Sequence, residues 1–473
     1  MDDLTNLTAI EAVKYLKNRE ISAVDLVNAS IKRISKVDKI VNALPTVVFD
    51  KAIEDANFVT NNIPKDIPCG YLYGLPIAVK DLTDVKGVIS TKGSTIFQDY
   101  IPDSSDILVE NLESKGGVII AKSNTPEFGA GSNTFNDVFG KTLNPWDISK
   151  TCGGSSGGSA VALATGQVWL ATGSDLGGSL RIPASFCSVV GLRPTAGLVS
   201  HGPTVLPFSN LAVEGPMGRN VMDLSLLLDA QAGINIKDPI SMHISQVSYL
   251  DSASMPVRPS KIGYSPDLGI TKVNSEVLDI CSQALSKFES SGSNIELIDS
   301  YFDKAEETFQ VLRAAYFAMN MDNILKTHRS ELKKEIVWNI EKGLSLSSEQ
   351  IFNAEINRGD IVLNTSKLFE QYDVFVCPTV LTPPFDVNLR YLEEIDGIKF
   401  ETYIDWLVLT FALTLTGCPV ISIPCGFTKS GLPIGLQIMA PWNQEGKLLS
   451  ISAYFESILE VHNKVPILPI EKN

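Results

Sequence analysis

A chain of 473 residues, 44% of them hydrophobic, is long and apolar enough to bury a large core, which excludes a disordered or low-complexity protein. Its 39 basic and 54 acidic residues give a net charge of −15, which argues against a nucleic-acid surface, because phosphate binding needs clustered Lys and Arg. The seven cysteines are odd in number and none are spaced C-x-x-C, which argues against a disulfide framework or a zinc site; free buried thiols in a reducing cytoplasm are expected.

In chain order, the acidic start Met1-Asp2-Asp3-Leu4-Thr5 lacks an apolar signal core, as expected of a cytoplasmic protein. Two amphipathic helices follow. Thr8-Ala9-Ile10-Glu11 and Ser22-Ala23-Val24-Asp25 have N-cap spacing, and Val24, Val27, Ile31 and Ile34 recur at helical intervals. Ile77 and Val79 alternate on a strand ending at Lys80. Gly117-Val118-Ile119-Ile120-Ala121 predicts a buried strand, Ser159 to Thr165 a helix of small residues, and Val168 to Thr172 another strand. Residues 234–260, rich in Ser, Pro and Asp, predict a surface connection. Lys261-Ile262-Gly263-Tyr264 resumes a strand, and 304–370 is mostly helical in pattern. The apolar run Trp406 to Cys418 stops at Pro419, short of the ~20 residues of a membrane span, and predicts a buried core helix. Ile421 to Gly426 and Pro433 to Met439 predict late strands. Strands alternating with helices imply an α/β layered sheet.

The densest signal is a pair of Gly/Ser clusters. The first is Gly153-Gly154-Ser155-Ser156-Gly157-Gly158-Ser159; the second is Gly173-Ser174-Asp175-Leu176-Gly177-Gly178-Ser179-Leu180-Arg181. Glycine lets backbone N–H groups approach a ligand, and a serine beside such a loop is a candidate nucleophile. The apolar runs flanking the clusters, Val161-Ala162-Leu163-Ala164 and Val168-Trp169-Leu170-Ala171, argue against a flexible linker. These clusters, with Gly191-Leu192-Arg193-Pro194-Thr195, resemble the amidase signature family of serine hydrolases. So do Gly74-Leu75-Pro76-Ile77-Ala78-Val79-Lys80-Asp81, Asn124-Thr125-Pro126-Glu127-Phe128 and Asn144-Pro145-Trp146. The likeness returns at Gly417-Cys418-Pro419 and Gly431-Leu432-Pro433-Ile434-Gly435-Leu436-Gln437, and so covers most of the chain. It implies one α/β/α layered domain over 1–473 with a large mixed central sheet, where length alone suggests two or three domains. The mostly helical region near 304–410 would then form the substrate pocket.

The resemblance also implies a chemistry. Ser179 is the expected nucleophile, Ser155 the bridging serine after a cis peptide bond, and Lys80 the base. Backbone N–H groups of Leu176, Gly177, Gly178 and Ser179 are expected to hold the oxyanion, and Gly129 to line the acyl side. A lysine is a base only when neutral, so burial or nearby positive charge must lower its pKa, and the strand-end position of Lys80 is consistent with partial burial. No metal or other cofactor is implied. The expected substrate is a small carboxylic amide, split to acid and ammonia or amine; a homodimer is left open. Asp175 and Arg181 are expected to pair and hold the loop, and Cys187 to be a buried small hydrophobe. Cys152 stands where many family members carry proline.

Gly153-Gly154-Ser155-Ser156-Gly157 also fits the G-x-S-x-G nucleophile elbow. An elbow needs a preceding strand and a later histidine. Asn144 to Lys150 is turn-rich, and His201, His243, His328 and His462 are the four histidines. No Gly-Lys-Ser/Thr follows the glycines to make a phosphate loop. Within the family the alternatives are a free-standing amidase, the amidase subunit of Glu-tRNA(Gln) amidotransferase, and a silent binding protein on the same fold. Intact Lys80, Ser155 and Ser179 argue against the last. The amidotransferase subunit typically places an aspartate about where Leu407 stands, and Asp405 is about 200° around the helix from that position. A free-standing amidase preferring apolar or aryl amides to glutamine is expected.

Overall fold

Helices α1 (Ala9–Lys17) and α2 (Ala23–Val41) start on complete capping boxes, Thr8 with Glu11 and Ser22 with Asp25, in the computed structural model. Each capping side chain takes up a donor that a helix N-terminus leaves free. Val27 and Ile34 of α2 are buried, whereas Val24 and Ile31 are half-buried at its edge. The structure describes residues 4–243, 247–299 and 301–472. The acidic start at residues 1–3, and residues 244–246 of the expected surface connection, lie outside the described residues.

Among the described residues, eleven strands form one mixed sheet. They are β1 (Thr46–Val47), β2 (Pro76–Lys80), β3 (Val118–Ser123), β4 (Leu170–Asp175), β5 (Val190–Arg193) and β6 (Val213–Gly218), then β7 (Lys261–Tyr264), β8 (Asn294–Leu297), β9 (Val374–Pro378), β10 (Val420–Phe427) and β11 (Pro433–Met439). Their order across the sheet is β1-β3-β2-β4-β6-β5-β10-β11-β9-β7-β8. Pairing is parallel from β3 through β2 to β4 and from β9 through β7 to β8, and antiparallel through the middle. This is the expected α/β fold with a large mixed sheet. Every residue of β2 and β3 is buried, as the apolar run of β3 predicts, whereas the alternation of Ile77 and Val79 on β2 marks no exposed face.

Several boundaries differ from the sequence reading. Strand β4 runs on to Asp175, past the expected end at Thr172, because Gly173, Ser174 and Asp175 pair with Gly215, Glu214 and Val213 of antiparallel β6. Gly-Ser-Asp has little strand propensity; ladder pairing overrides it. Strand β6 itself carries no clear sequence signal and was not expected. The helix of small residues, α3 (Gly157–Ala164), begins within the first Gly/Ser cluster, and α4 (Arg181–Cys187) follows the second. The connection near 234–260 contains a short helix, Tyr249–Ser254, whose Tyr249 is buried. The expected pocket region contains α5 (Ala305–His328), α6 (Lys334–Leu344) and α7 (Ser348–Phe369), but also strand β9. The apolar run becomes a 3₁₀ turn and α8 (Val408–Thr416), buried throughout. Among the described residues no helix is long and apolar enough to cross a membrane. All seven cysteines are free; Cys69 is exposed, against the expectation of buried thiols.

Candidate active site

Lys80 closes β2 with its side chain wholly buried, where its position suggested partial burial. Its Nζ lies 2.7 Å from Ser155 Oγ, 2.9 Å from Ser156 Oγ and 2.9 Å from Ser174 Oγ. Three neutral hydroxyls thus surround an ammonium that has no ion-pair partner among the described residues. Loss of water disfavours the charged form, so burial draws the Lys80 pKa down, against the opposing charges of Glu214 and Asp175.

Ser155 follows a cis Gly154–Ser155 peptide, as the resemblance implied. The Ser156 N–H donates to Ser179 O at 3.2 Å and ties the two Gly/Ser clusters together. Ser155, Ser179, Leu176, Gly177 and Gly129 line one cavity of about 410 Å³. Gly129 has φ +72°, and a Cβ there would stand 2.9 Å from Leu82 Cδ1 and 3.3 Å from Ser155 Oγ. Only glycine lets the backbone pass so close to that serine. No hydrogen bond joins Ser155 Oγ to Ser179 Oγ among the described residues; such links often tighten only once substrate binds.

Three of the four amides expected at the oxyanion, those of Leu176, Gly177 and Ser179, meet no acceptor among the described residues. Gly178 departs from the expectation. Its N–H donates to Asp175 Oδ1 at 2.8 Å and is already engaged. Its φ of +123°, and a Cβ position 2.2 Å from Thr410 Oγ1, exclude any larger residue.

Asp175 anchors this loop from behind, as expected. Its carboxylate accepts from Arg181 Nε and Nη2, both at 3.0 Å, and lies 3.5 Å from Arg193 Nη1. Burial would push Asp175 up, but Arg181, Arg193 and the Gly178 N–H outweigh it and bring the carboxyl down to about 2. Arg181 in turn donates to Thr410 O at 2.9 Å, Thr414 Oγ1 at 2.9 Å and Gln437 Oε1 at 2.8 Å. Helix α8 and β11 thereby hold the second cluster in place.

The cavity walls are largely apolar, with Leu108, Phe128, Phe309, Phe317, Met321 and Ile324 among them, and carry the charged side chains of Lys92, Asp106, Glu214 and Arg313 as well. Leu407 also lines the cavity. Asp405 faces elsewhere and accepts hydrogen bonds from Thr402 N at 2.6 Å and Gln310 Nε2 at 2.8 Å. His201 lines the cavity too, with Nδ1 3.5 Å from Asp238. Among the described residues, none of the four histidines hydrogen-bonds Ser155 or Ser179, and no cluster of His, Cys, Asp or Glu could hold a metal. Cys152 is buried, with Sγ 3.5 Å from Thr142 O, and burial pushes its thiol up to about 12; Cys187 is buried beside it.

Sequence reasoning missed the contacts of Ser156 and Ser174 with Lys80, although both stand in the Gly/Ser clusters. It missed the roles of Arg193 and Gln437, which stand in matched motifs. Glu214, which also lines the cavity, has no local signal and is found only through strand pairing.

A family model described as Amidase matches residues 25–449. The chain is 32% identical to an acylamidase of Rhodococcus erythropolis over 97% of both chains. It is 33% identical to a glutamyl-tRNA(Gln) amidotransferase subunit of Rippkaea orientalis, over 97% of this chain and 99% of that one. The crystal structure of a bacterial aryl acylamidase of the amidase signature family superposes with a TM-score of 0.89 at 25% identity, covering 98% of this chain and 99% of that one. The chain belongs to the amidase family and is an amide-hydrolysing enzyme.

Proposed function

From this membership and the site geometry, we propose that the chain is a free-standing amidase that hydrolyses small apolar or aryl carboxylic amides through Ser179, Ser155 and Lys80. The observation that carries the reading is the buried Lys80 ammonium, 2.7 Å from the Oγ of Ser155, which with Ser179 lines one largely apolar cavity. Neutral Lys80 takes a proton from Ser155, which takes one from Ser179. Ser179 Oγ attacks the amide carbonyl, and the N–H groups of Leu176, Gly177 and Ser179 receive the negative oxygen. The intermediate collapses as the proton returns through Ser155 to the leaving nitrogen. Water then attacks the Ser179 ester by the same relay and releases the acid.

Identity does not choose between a free-standing amidase and a component of an amidotransferase, since the two relatives stand at 32% and 33%. Pocket chemistry favours the first. Leu407 cannot accept a hydrogen bond from the ammonium of glutamine, and a charge left unpaired at that position costs several kcal/mol; the cavity carboxylate Glu214 stands instead beside Ser174 and Lys80. On this reading the enzyme acts in the cytoplasm on a small molecule, without a nucleic-acid or membrane partner.

The test gives purified protein alone a panel of anilides, aliphatic amides and glutamine while amine or ammonia release is recorded. Anilides or apolar amides should be split and glutamine spared. Inertness on the whole panel, with glutaminase activity appearing on addition of amidotransferase partner subunits, would assign the chain to the amidotransferase instead.

A further inference from the structure

One carboxylate in the cavity has no part in the relay described above. Glu214 lines the cavity from β6, and its Oε2 is buried without a hydrogen-bond partner among the described residues. It stands directly opposite Ser174 in the antiparallel β4–β6 ladder, and Ser174 Oγ lies 2.9 Å from Lys80 Nζ. Side chains directly opposed in such a ladder share one face, with Cβ atoms about 5 Å apart. Glu214 and the Lys80 ammonium thus both adjoin the side chain of Ser174.

Glu214 is half-buried, and a buried carboxylate oxygen with no partner is costly unless a positive charge or a proton accompanies it. The other charged groups around the pair are engaged elsewhere. Asp175 is held by Arg181 and Arg193. Asp106 accepts from Asp84 N, and Lys92 is paired with Asp84. On the far walls His201 faces Asp238, and Arg313 donates to Asn339 and Tyr403. Tyr316 of α5 also faces Glu214 and brings no charge near neutral pH. That leaves Lys80, on the other side of Ser174, as the cation without an ion-pair partner beside Glu214 among the described residues, and the charge of each acts on the other.

With Lys80 read as the base, we propose that Glu214 is a positioning residue that sets how tightly Lys80 holds its proton, and so the pH at which the enzyme becomes active. An ionised Glu214 stabilises the ammonium, and burial disfavours the charge on both. Two groups this strongly linked lose their protons as a unit, and the acidic limb of activity belongs to the pair. Neutralising position 214 loosens the lysine's hold on its proton. The limb then moves to lower pH.

The rate at which a fluorophosphonate labels Ser179, followed against pH, reads this without knowledge of the natural substrate. Glu214→Gln should shift the acidic limb down by about one pH unit. Glu214→Leu, which needs no buried polar partner, should shift it the same way and serves if the glutamine variant does not fold. Asp106→Asn, which removes the neighbouring charge and keeps an oxygen for Asp84 N–H, should leave the limb near its wild-type position. A folded Glu214 variant whose limb coincides with wild type or moves up overturns the proposal, as does Asp106→Asn reproducing the whole shift. If Lys80→Ala labels at the wild-type rate, the base assignment beneath the proposal fails instead, so the two failures are distinguishable.

Discussion

Lys80 on β2 and Lys122 on β3 are equally shielded from water and differ in what meets the ammonium. Lys122 Nζ lies 2.7 Å from Asp81 Oδ1 and 2.8 Å from Ser90 Oγ, a buried ion pair completed by a hydroxyl. Lys80 Nζ meets three serine hydroxyls at comparable distances and the Ser174 carbonyl at 3.5 Å, with no carboxylate in contact among the described residues. Burial lowers both lysines, and at Lys122 the touching Asp81 carboxylate works against that loss. Burial alone therefore does not make a base. On the proposed reading, Lys80 acquires base character because the fold supplies hydroxyls to orient the nitrogen and keeps carboxylates out of contact.

The largest expected effect separates the two lysines directly. Lys80→Ala should slow Ser179 labelling and amide hydrolysis by about 10²- to 10⁴-fold, the usual contribution of a general base. Because the base must be neutral, wild-type activity should rise with pH and level off well below the ordinary lysine value of about 10.4. A Lys80→Ala enzyme as active as wild type, or a profile that falls with rising pH, would break the contrast.

Lys122→Ala should act in the opposite currency. It strands Asp81 as a buried, uncompensated carboxylate, a loss of about 3–5 kcal/mol of folding stability. Denaturant unfolding should report that loss, while the folded fraction labels Ser179 near the wild-type rate. Lys80→Ala deprives Glu214 of its cation, but Lys80 touches no carboxylate and Glu214 borders the cavity, so the loss should be smaller. Equal stability losses in the two variants would remove the distinction drawn from their partners.

A smaller effect is expected at the cavity wall. Leu407→Asp places a carboxylate against apolar side chains and should lower kcat/KM for an anilide by roughly thirtyfold, about 2 kcal/mol. Glutamine turnover should rise relative to the anilide, since an ammonium now finds a partner. An unchanged ratio of the two would mean that Leu407 does not govern substrate choice.

Much of this site was legible because its parts lie in local motifs. Strand β2 ending at Lys80, the two Gly/Ser clusters and the buried run to Cys418 each carry their pattern in consecutive residues. Thr8 and Ser22 announced their helices for the same reason. What escaped was set by pairing between distant segments. The extension of β4 through Gly173-Ser174-Asp175 needs β6, and it is that extension which turns Ser174 towards Lys80 and sets Glu214 opposite it. The engagement of the Gly178 amide by Asp175 depends on a loop conformation that composition does not encode. The ion pair of Lys122 was equally silent, because nothing in its own strand names Asp81 as the partner.

The smallest expected effect concerns His201, the one histidine lining the cavity among the described residues. A nucleophile elbow at Ser155 would need a histidine base beside it, with an acid behind the ring to orient it. His201 has such an acid, Asp238, at 3.5 Å, and so is the histidine that most nearly meets the elbow's requirement. Yet its ring hydrogen-bonds neither Ser155 nor Ser179 among the described residues, whereas Lys80 touches Ser155 at 2.7 Å. His201→Gln keeps a hydrogen-bonding side chain of similar reach and removes the titrating ring. The Ser179 labelling rate should change by no more than about twofold, the size expected away from packed or catalytic contacts. The acidic limb of its pH profile should stay where wild type has it. A His201→Gln enzyme as inactive as Lys80→Ala, with the label found on Ser155, would transfer the role of base from the lysine to the histidine.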